Sequence, residues 1–308
     1  MGFGERSKIC NKFAENLRRM KIAVFGSRHQ SEYLGKLSSL FAALRRHGDS
    51  LAIETRFFNY IKDLLPDLDA DSLIPGDEFA ADFVFSIGGD GTFLRTAAKV
   101  RNKSIPIAGI NTGHLGYLAD VSIDNAEDFI DDLHSGKYAV ETRSLIAVDI
   151  DGDVDEYRRF ALNEVAIQKD LSASMLHINT KINGKELTTY LGDGLIISTP
   201  TGSTAYNLSL GGPIIHPACG CFVATPIAAH SLTMRPIVLP DSIEIELITT
   251  SNRSESFRIS IDGKSVALPI GTAVRLRKAD FQIFILQQQS HDFAKTLRNK
   301  LMWGADSR

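Results

Sequence analysis

The chain reads as two unlike folding units and a closing helix: an α/β domain first, a β-rich domain second. Three observations carry this. From Met20 to about Asp120, apolar runs alternate with amphipathic stretches. After about residue 140 the pattern changes to short alternating strands separated by Asn183-Gly184 and Asp262-Gly263-Lys264, and Asn-Gly and Asp-Gly are strong hairpin signals. The final stretch, HDFAKTLRNKLMW, returns to helical spacing.

The elements follow in that order. KIAVFG is a buried strand, EYLGKLSSLFAALRRHG a helix ending at glycine, LAIETRF a strand, DFVFSI a second buried strand, TFLRTAAKV a helix and IPIAGI another strand. Strands separated by helices predict a parallel, Rossmann-like sheet that binds ligands at the strands' carboxyl ends. SMLHINTKI and KELTTY flank the first hairpin signal, FRISI and SVALPI the second, and SLIAVDI, IEIELIT, AVRLRK and FQIFILQ add further strands. A length of 308 residues suits roughly two domains of about 150 each. The expected divisions are an extension at 1–19, the α/β domain at 20–121, the β-rich domain at 122–286, and a helix at 287–308 that packs back on the α/β domain. MKIAVFGSR resembles a first strand with its own Met, so the preceding polar segment reads as a dispensable extension or a misassigned start, with a functional arm as the alternative. That segment lacks the apolar core of a secretory signal, and Glu5 and Glu15 argue against a transit peptide.

Composition narrows the function. Hydrophobic residues make up 44%, charged residues 23%, and the net charge is −3. Nothing in that balance predicts a nucleic-acid or acidic-membrane partner. Cys10, Cys219 and Cys221 form no even disulfide framework and no zinc spacing, so they read as reduced thiols of a cytoplasmic protein. The stretch Gly194–Met234 lacks Asp, Glu, Lys and Arg, but Pro200, Pro213, Pro217 and Pro226 interrupt it. It reads as a buried pocket lining rather than a membrane span. The eight histidines are scattered without metal-ligand spacing, and no G-x-S-x-G signals a hydrolase.

The chemistry concentrates in FVFSIGGDGTFLRTAAKV, residues 83–100, where an apolar strand turns through glycines into a helix. Free N–H groups and the dipole at a helix N-terminus favour phosphate. Gly88, Gly89 and Gly91 would let the backbone approach it, Thr92 would begin the helix, and Arg95 in the first turn would add positive charge. The Lys-Ser/Thr pair of a Walker loop is missing. Asp90 therefore faces phosphate without a lysine beside it, and like charges about 4 Å apart repel by roughly 4 kcal/mol at an effective dielectric of 20. Either a divalent cation lies between them or Asp90 points at the hydroxyl that attacks the phosphate, the arrangement a kinase needs. The plain alternative is a tight turn with Asp90 as helix cap.

GGDGT resembles the shared motif of NAD kinases, of diacylglycerol and sphingosine lipid kinases and, in looser form, of phosphofructokinases. GGDGTFLR at 88–95, NTGHLGYL at 111–118, LNEVAI at 162–167 and DGLIISTPTGSTAYNLSLGGPI at 193–214 together resemble the NAD kinase family in particular, and the likeness continues through HSLTMRPIVLP and SIDGK to LRNKLMW. The resemblance implies transfer of a phosphoryl group from ATP, or another donor such as polyphosphate, to NAD, with Mg²⁺ or another divalent cation whose ligands the sequence does not identify. It implies that Asp90 accepts the proton of the adenosine ribose 2′-hydroxyl and that Gly91 lies beside the dinucleotide. Asn163 and Glu164 would bind adenine and ribose, and Asp193 the nicotinamide end. Thr204 would meet the adenine edge, Ala205 and Tyr206 would pack on the ligand, and Asn207, Leu208 and Ser209 would complete the wall. A homo-oligomer, tetramer or dimer, is also implied. Leu191 stands where some relatives carry Arg, which leaves the choice between NAD and NADH open. A lipid kinase of the same superfamily and a non-catalytic dinucleotide sensor are the alternative readings.

Overall fold

A computed structural model describes residues 19–28, 31–113, 116–152, 160–170, 175–251 and 253–304. The expected extension lies outside these residues apart from Arg19. The chain divides into two compact units, residues 1–142 with 283–308, and residues 143–282.

The first unit is built on a parallel sheet. Its strands are β1 (Lys21–Gly26), β2 (Ser50–Glu54), β3 (Ser72–Ile74), β4 (Phe83–Ile87), β5 (Ile107–Asn111), β6 (Val121–Ser122), β7 (Tyr138–Arg143) and a last strand, Ile283–Gln288. The order is β3-β2-β1-β4-β5, then the last strand and β7, with β6 on β5. β1 pairs in parallel with both β2 and β4, so the connection order reverses there. Ligands of such sheets bind at that reversal, beyond the strands' carboxyl ends. β4 and β5 are buried along their whole length, which matches their unbroken apolar sequences. Helices cover the sheet with the same logic: Ala126–His134 buries Ala126, Phe129, Ile130 and Leu133, one face at i, i+3, i+4 and i+7.

Two features differ from the sequence reading. The strand in LAIETRF ends at Glu54, and Thr55–Ile61 is a helix that buries Phe57 and Ile61. The unit boundaries fall after Thr142 and before Ile283 rather than at 121/122 and 286/287. The reason is pairing: β7 and the last strand extend the first sheet, and Tyr138 and Leu286 join its core. Helix Phe293–Leu301 belongs to the same unit, its first turn capped by Asp292, which accepts from the Ala294 N–H at 3.0 Å.

The second unit has two antiparallel sheets. Its strands are β8 (Ile146–Ile150), β9 (Phe160–Ala161), β10 (Glu164–Lys169), β11 (Leu176–Ile182), β12 (Lys185–Gly192), β13 (Gly194–Ser198), β14 (Cys221–Ile227), β15 (Ile237–Pro240), β16 (Ile245–Thr250), β17 (Ser256–Ile261), β18 (Lys264–Pro269) and β19 (Ala273–Lys278). One sheet runs β15-β14-β13-β10-β17-β18 and the other β12-β11-β16-β19-β8-β9. Val165, Ile197, Phe222 and Ile259 of the first share a core with Val148, Ile178, Leu247 and Leu276 of the second. Both hairpin signals act as expected. Asn183 and Gly184 have φ of 49° and 76°, Asp262 and Gly263 have 46° and 79°, and successive left-handed residues suit the twist of tight hairpins.

Candidate functional site

In the first unit the site grows from the turn after β4. Gly88 has φ of +144°, and a Cβ there would lie 2.5 Å from Thr92 Oγ1 and 3.0 Å from Ser27 Oγ, so the turn requires glycine. Gly89 caps the helix, which begins at Asp90, two residues before the expected Thr92. Arg95 consequently sits in the second turn, where its Nη2 donates to Thr92 Oγ1 at 3.0 Å.

Asp90 makes no cap to its own turn. Its carboxylate accepts three consecutive main-chain N–H groups from the loop after β5: Tyr117 on Oδ2 at 2.8 Å, Leu118 and Ala119 on Oδ1 at 2.9 and 3.0 Å. Gly116 makes this approach possible, since a Cβ there would collide with the carboxylate. The end of the motif NTGHLGYL thus wraps the acid of GGDGT; His114 and Leu115 lie outside the described residues. A carboxylate has about four acceptor positions, so the clamp leaves one on Oδ2.

Beside this turn, at the carboxyl ends of β1 and β2, lies a cleft of about 400 Å³ lined by Arg28, Arg56, Arg95 and Lys99, with Thr92 and Glu54. Lys99 is paired, 3.4 Å from Glu54 and 3.3 Å from Asp77. Sequence reasoning found only Arg95 of these cations. Arg28 carried a usable signal, because FGSR places it just beyond a buried parallel strand. Among the described residues, no three His, Cys, Asp or Glu side chains are grouped to cage a metal. Mg²⁺ is commonly held by substrate phosphates and one or two carboxylates.

In the second unit, the Asn163-Glu164 pair opens β10. Asp262, in the hairpin after β17, accepts the N–H groups of Leu162, Asn163 and Glu164 at 2.7, 2.8 and 3.2 Å. Sequence reasoning saw Asp262 only as a turn former. Burial pushes the Glu164 carboxyl up to about 7, and the neighbouring Asp262 adds to it; Oε2 of Glu164 is buried without a hydrogen-bond partner. Burial likewise raises Asp262, opposed by its three amide donors and by Lys264.

The loop between β13 and β14 is tied to this pair. The Thr199 N–H donates to Asn163 O at 2.8 Å, and Gly202 packs against the Asn163 backbone too closely for any side chain. Thr204, Ala205 and Leu208 are half-buried, while Tyr206 and Ser209 are exposed. The Tyr206 hydroxyl accepts from Gln168 Nε2 at 3.2 Å. Asp193 stands 2.7 Å from the ammonium of Lys169. Asn207 departs from its expected place in a ligand wall. Its side chain is wholly buried; Nδ2 donates to Ser203 O and Pro213 O, both at 3.2 Å, and Oδ1 accepts from Thr225 Oγ1 at 2.6 Å. With both polar atoms occupied, that side chain holds the loop together. The uncharged stretch Gly194–Met234 accordingly consists of β13, β14, the segment between them and residues 228–234 beyond β14.

A parallel sheet whose glycine turn offers a clamped carboxylate beside a cationic cleft defines a class, the nucleotide-handling phosphotransferases. Family models described as ATP-NAD kinase N-terminal domain and ATP-NAD kinase C-terminal domain match residues 67–138 and 162–287. The chain belongs to the NAD kinase family. It is 48% identical to an NAD kinase of Bacteroides fragilis over 94% of this chain and 100% of that one. It is 45% identical to an NAD kinase of Porphyromonas gingivalis over 92% and 98%. Among solved structures, an NAD kinase from Archaeoglobus fulgidus in complex with ATP superposes with a TM-score of 0.70 at 26% identity, covering 92% of this chain and 98% of that one. Yeast NADH kinase complexed with NADH shares the fold, with a TM-score of 0.84 at 20% identity over 96% and 90%.

Proposed function

We propose that this chain is an NAD kinase that phosphorylates the adenosine ribose 2′-hydroxyl of NAD with ATP to give NADP and ADP. The observation that carries the reading is the clamp on Asp90: three amides fix the carboxylate and leave one acceptor position free for a substrate hydroxyl. As the hydroxyl oxygen bonds to the γ-phosphorus, its proton passes to Asp90 Oδ2, the bond from phosphorus to the bridging oxygen breaks, and ADP leaves. Gly89 and Gly91 have no neighbour within 3.5 Å of where a side chain would begin, so phosphate can approach their backbone. Arg28, Arg56 and Arg95 in the cleft supply charge for the donor's phosphates. A divalent cation, Mg²⁺ by its chemistry, would be held by the triphosphate and would offset part of its charge. In the second unit, Asn163 and Glu164 bind adenosine, Asp193 the nicotinamide end, and Thr204, Ala205, Tyr206, Leu208 and Ser209 offer loop surface to the dinucleotide.

The protein is read as a cytoplasmic homo-oligomer that binds small molecules. Among the described residues, no helix is long and apolar enough to cross a membrane. The test is NADP formation from NAD and Mg²⁺ with ATP, other nucleoside triphosphates and polyphosphate offered separately, read by an NADP-specific dehydrogenase. ATP should support turnover. No NADP with any donor, together with phosphorylation of diacylglycerol in micelles, would favour a lipid kinase; tight NAD binding without transfer would favour a sensor.

A further inference from the structure

Lys300, near the end of the last helix, presents an unusual buried charge. Its ammonium is shielded from solvent and has no hydrogen-bond partner. Burial pushes it down from the ordinary lysine range, opposed by the charges of Asp120 and Asp90. Asp120 Oδ2 lies 2.6 Å from His291 Nδ1, so Asp120 acts on the ammonium through its charge and not through a hydrogen bond. What the ammonium meets is an aromatic face: Nζ stands 4.6 Å from the centre of the Tyr117 ring. Desolvated cation–π contacts of this kind are worth more than exposed ones.

Tyr117 needs such a contact. Its hydroxyl is buried without a hydrogen-bond partner, so the polar tip does not anchor the ring. Yet the Tyr117 main chain donates to Asp90 Oδ2, the oxygen with the free acceptor position. The loop is short and closed by Gly116 N–H to Ala119 O at 3.3 Å, so a swing of the ring displaces the amides that orient the acid.

We propose that Lys300 is a positioning residue for phosphoryl transfer, acting through the Tyr117 ring on the amide clamp around Asp90. The last helix is then part of the catalytic apparatus although it offers no group to the reacting atoms. The proposal rests on the NAD kinase reading, and the experiment separates the two.

Four proteins are compared in the NADP assay: wild type, Lys300→Met, Lys300→Arg and Tyr117→Leu, together with the double variant Tyr117→Leu/Lys300→Met. Met keeps the apolar stem and removes the charge, while Arg can still stack on the ring. Misplacing a reacting group costs one to two powers of ten, so Lys300→Met should lower kcat by about 10-fold or more with KM for NAD within about twofold. Tyr117→Leu should lower kcat similarly, and the double variant should lose no more than the worse single one. Lys300→Arg should recover most of the activity. The melting temperature of Lys300→Met should change little, because relief of the desolvated charge offsets the lost contact with the Tyr117 ring. Wild-type kcat in Lys300→Met, multiplicative losses in the double variant, or a kcat loss that follows a drop in melting temperature and is not rescued by Arg would each overturn the proposal. A wild-type chain that makes no NADP would sink the kinase reading instead.

Discussion

Each folding unit carries an aspartate that gathers three consecutive N–H groups, and the two pairings have the same form. Asp90 takes one amide on Oδ2 and two on Oδ1; Asp262 takes one on Oδ2 and two on Oδ1. Their surroundings differ. Asp90 follows a glycine turn at a helix N-terminus, with open space at Gly89 and a cationic cleft nearby. Asp262 sits in a hairpin turn at φ of 46°, against the buried carboxyl of Glu164. On the proposed assignment, the same amide grip would serve chemistry where a reactant can reach the free acceptor position, and architecture where the amides belong to the proposed adenosine-binding segment.

Substitutions can break this comparison, and Asp90→Asn should have the largest effect. It removes the proposed proton acceptor and turns an amide NH₂ toward the clamp, so kcat should fall by about 10²-fold or more in steady-state assays. Binding of NAD, measured by calorimetry, should change far less, because the substitution removes a base rather than the adenosine contacts. Gly88→Ala comes next. The left-handed φ and the contact with Thr92 Oγ1 predict destabilisation of about 2–3 kcal/mol, read as a melting temperature lower by about 5 °C or more.

Asp262→Ala should leave three amides without an acceptor. The account predicts KM for NAD raised about 10-fold with kcat within a few-fold, since Asn163 and Glu164 are displaced while Asp90 is untouched. A kcat collapse with unchanged KM would show that the two aspartates have been assigned the wrong way round. The smallest effect is a pH dependence. Glu164 ionises at about 7 in the folded chain against 4.5 ordinarily. The folded state thus holds this proton more tightly than the unfolded state, and the associated stability is present below about pH 4.5 and lost as pH rises through about 7. Glu164→Gln removes that dependence. Its stability relative to wild type, followed as the difference in melting temperature, should rise between pH 4.5 and 7 and level off above, by an amount on the order of 1–3 kcal/mol.

Much of this was legible in the sequence because it rests on local signals. The two hairpin turns were set by Asn-Gly and Asp-Gly, and β4 and β5 by unbroken apolar runs. GGDGT announced its own turn, since only glycine tolerates the backbone at Gly88. What escaped was non-local. Nothing within residues 83–100 says that the partner of Asp90 lies at Tyr117–Ala119, or that Asp262 grips Leu162–Glu164 from about a hundred residues away. The unit boundaries were misplaced for the same reason, because β7 and the last strand read as strands without showing which sheet they join. Asn207 was assigned to a ligand wall from its motif, and only packing reveals that Ser203, Pro213 and Thr225 occupy its amide.

The central claim is that the carboxylate of Asp90 directs one sugar hydroxyl onto phosphorus. The most direct test is phosphorus and proton NMR of the product formed from NAD and ATP, which assigns the carbon bearing the new phosphate. The account predicts a single monoester on the 2′-oxygen of the adenosine ribose, formed by the wild-type chain and nearly absent with Asp90→Asn. A phosphate on any other oxygen, or equal product from the variant, would contradict it.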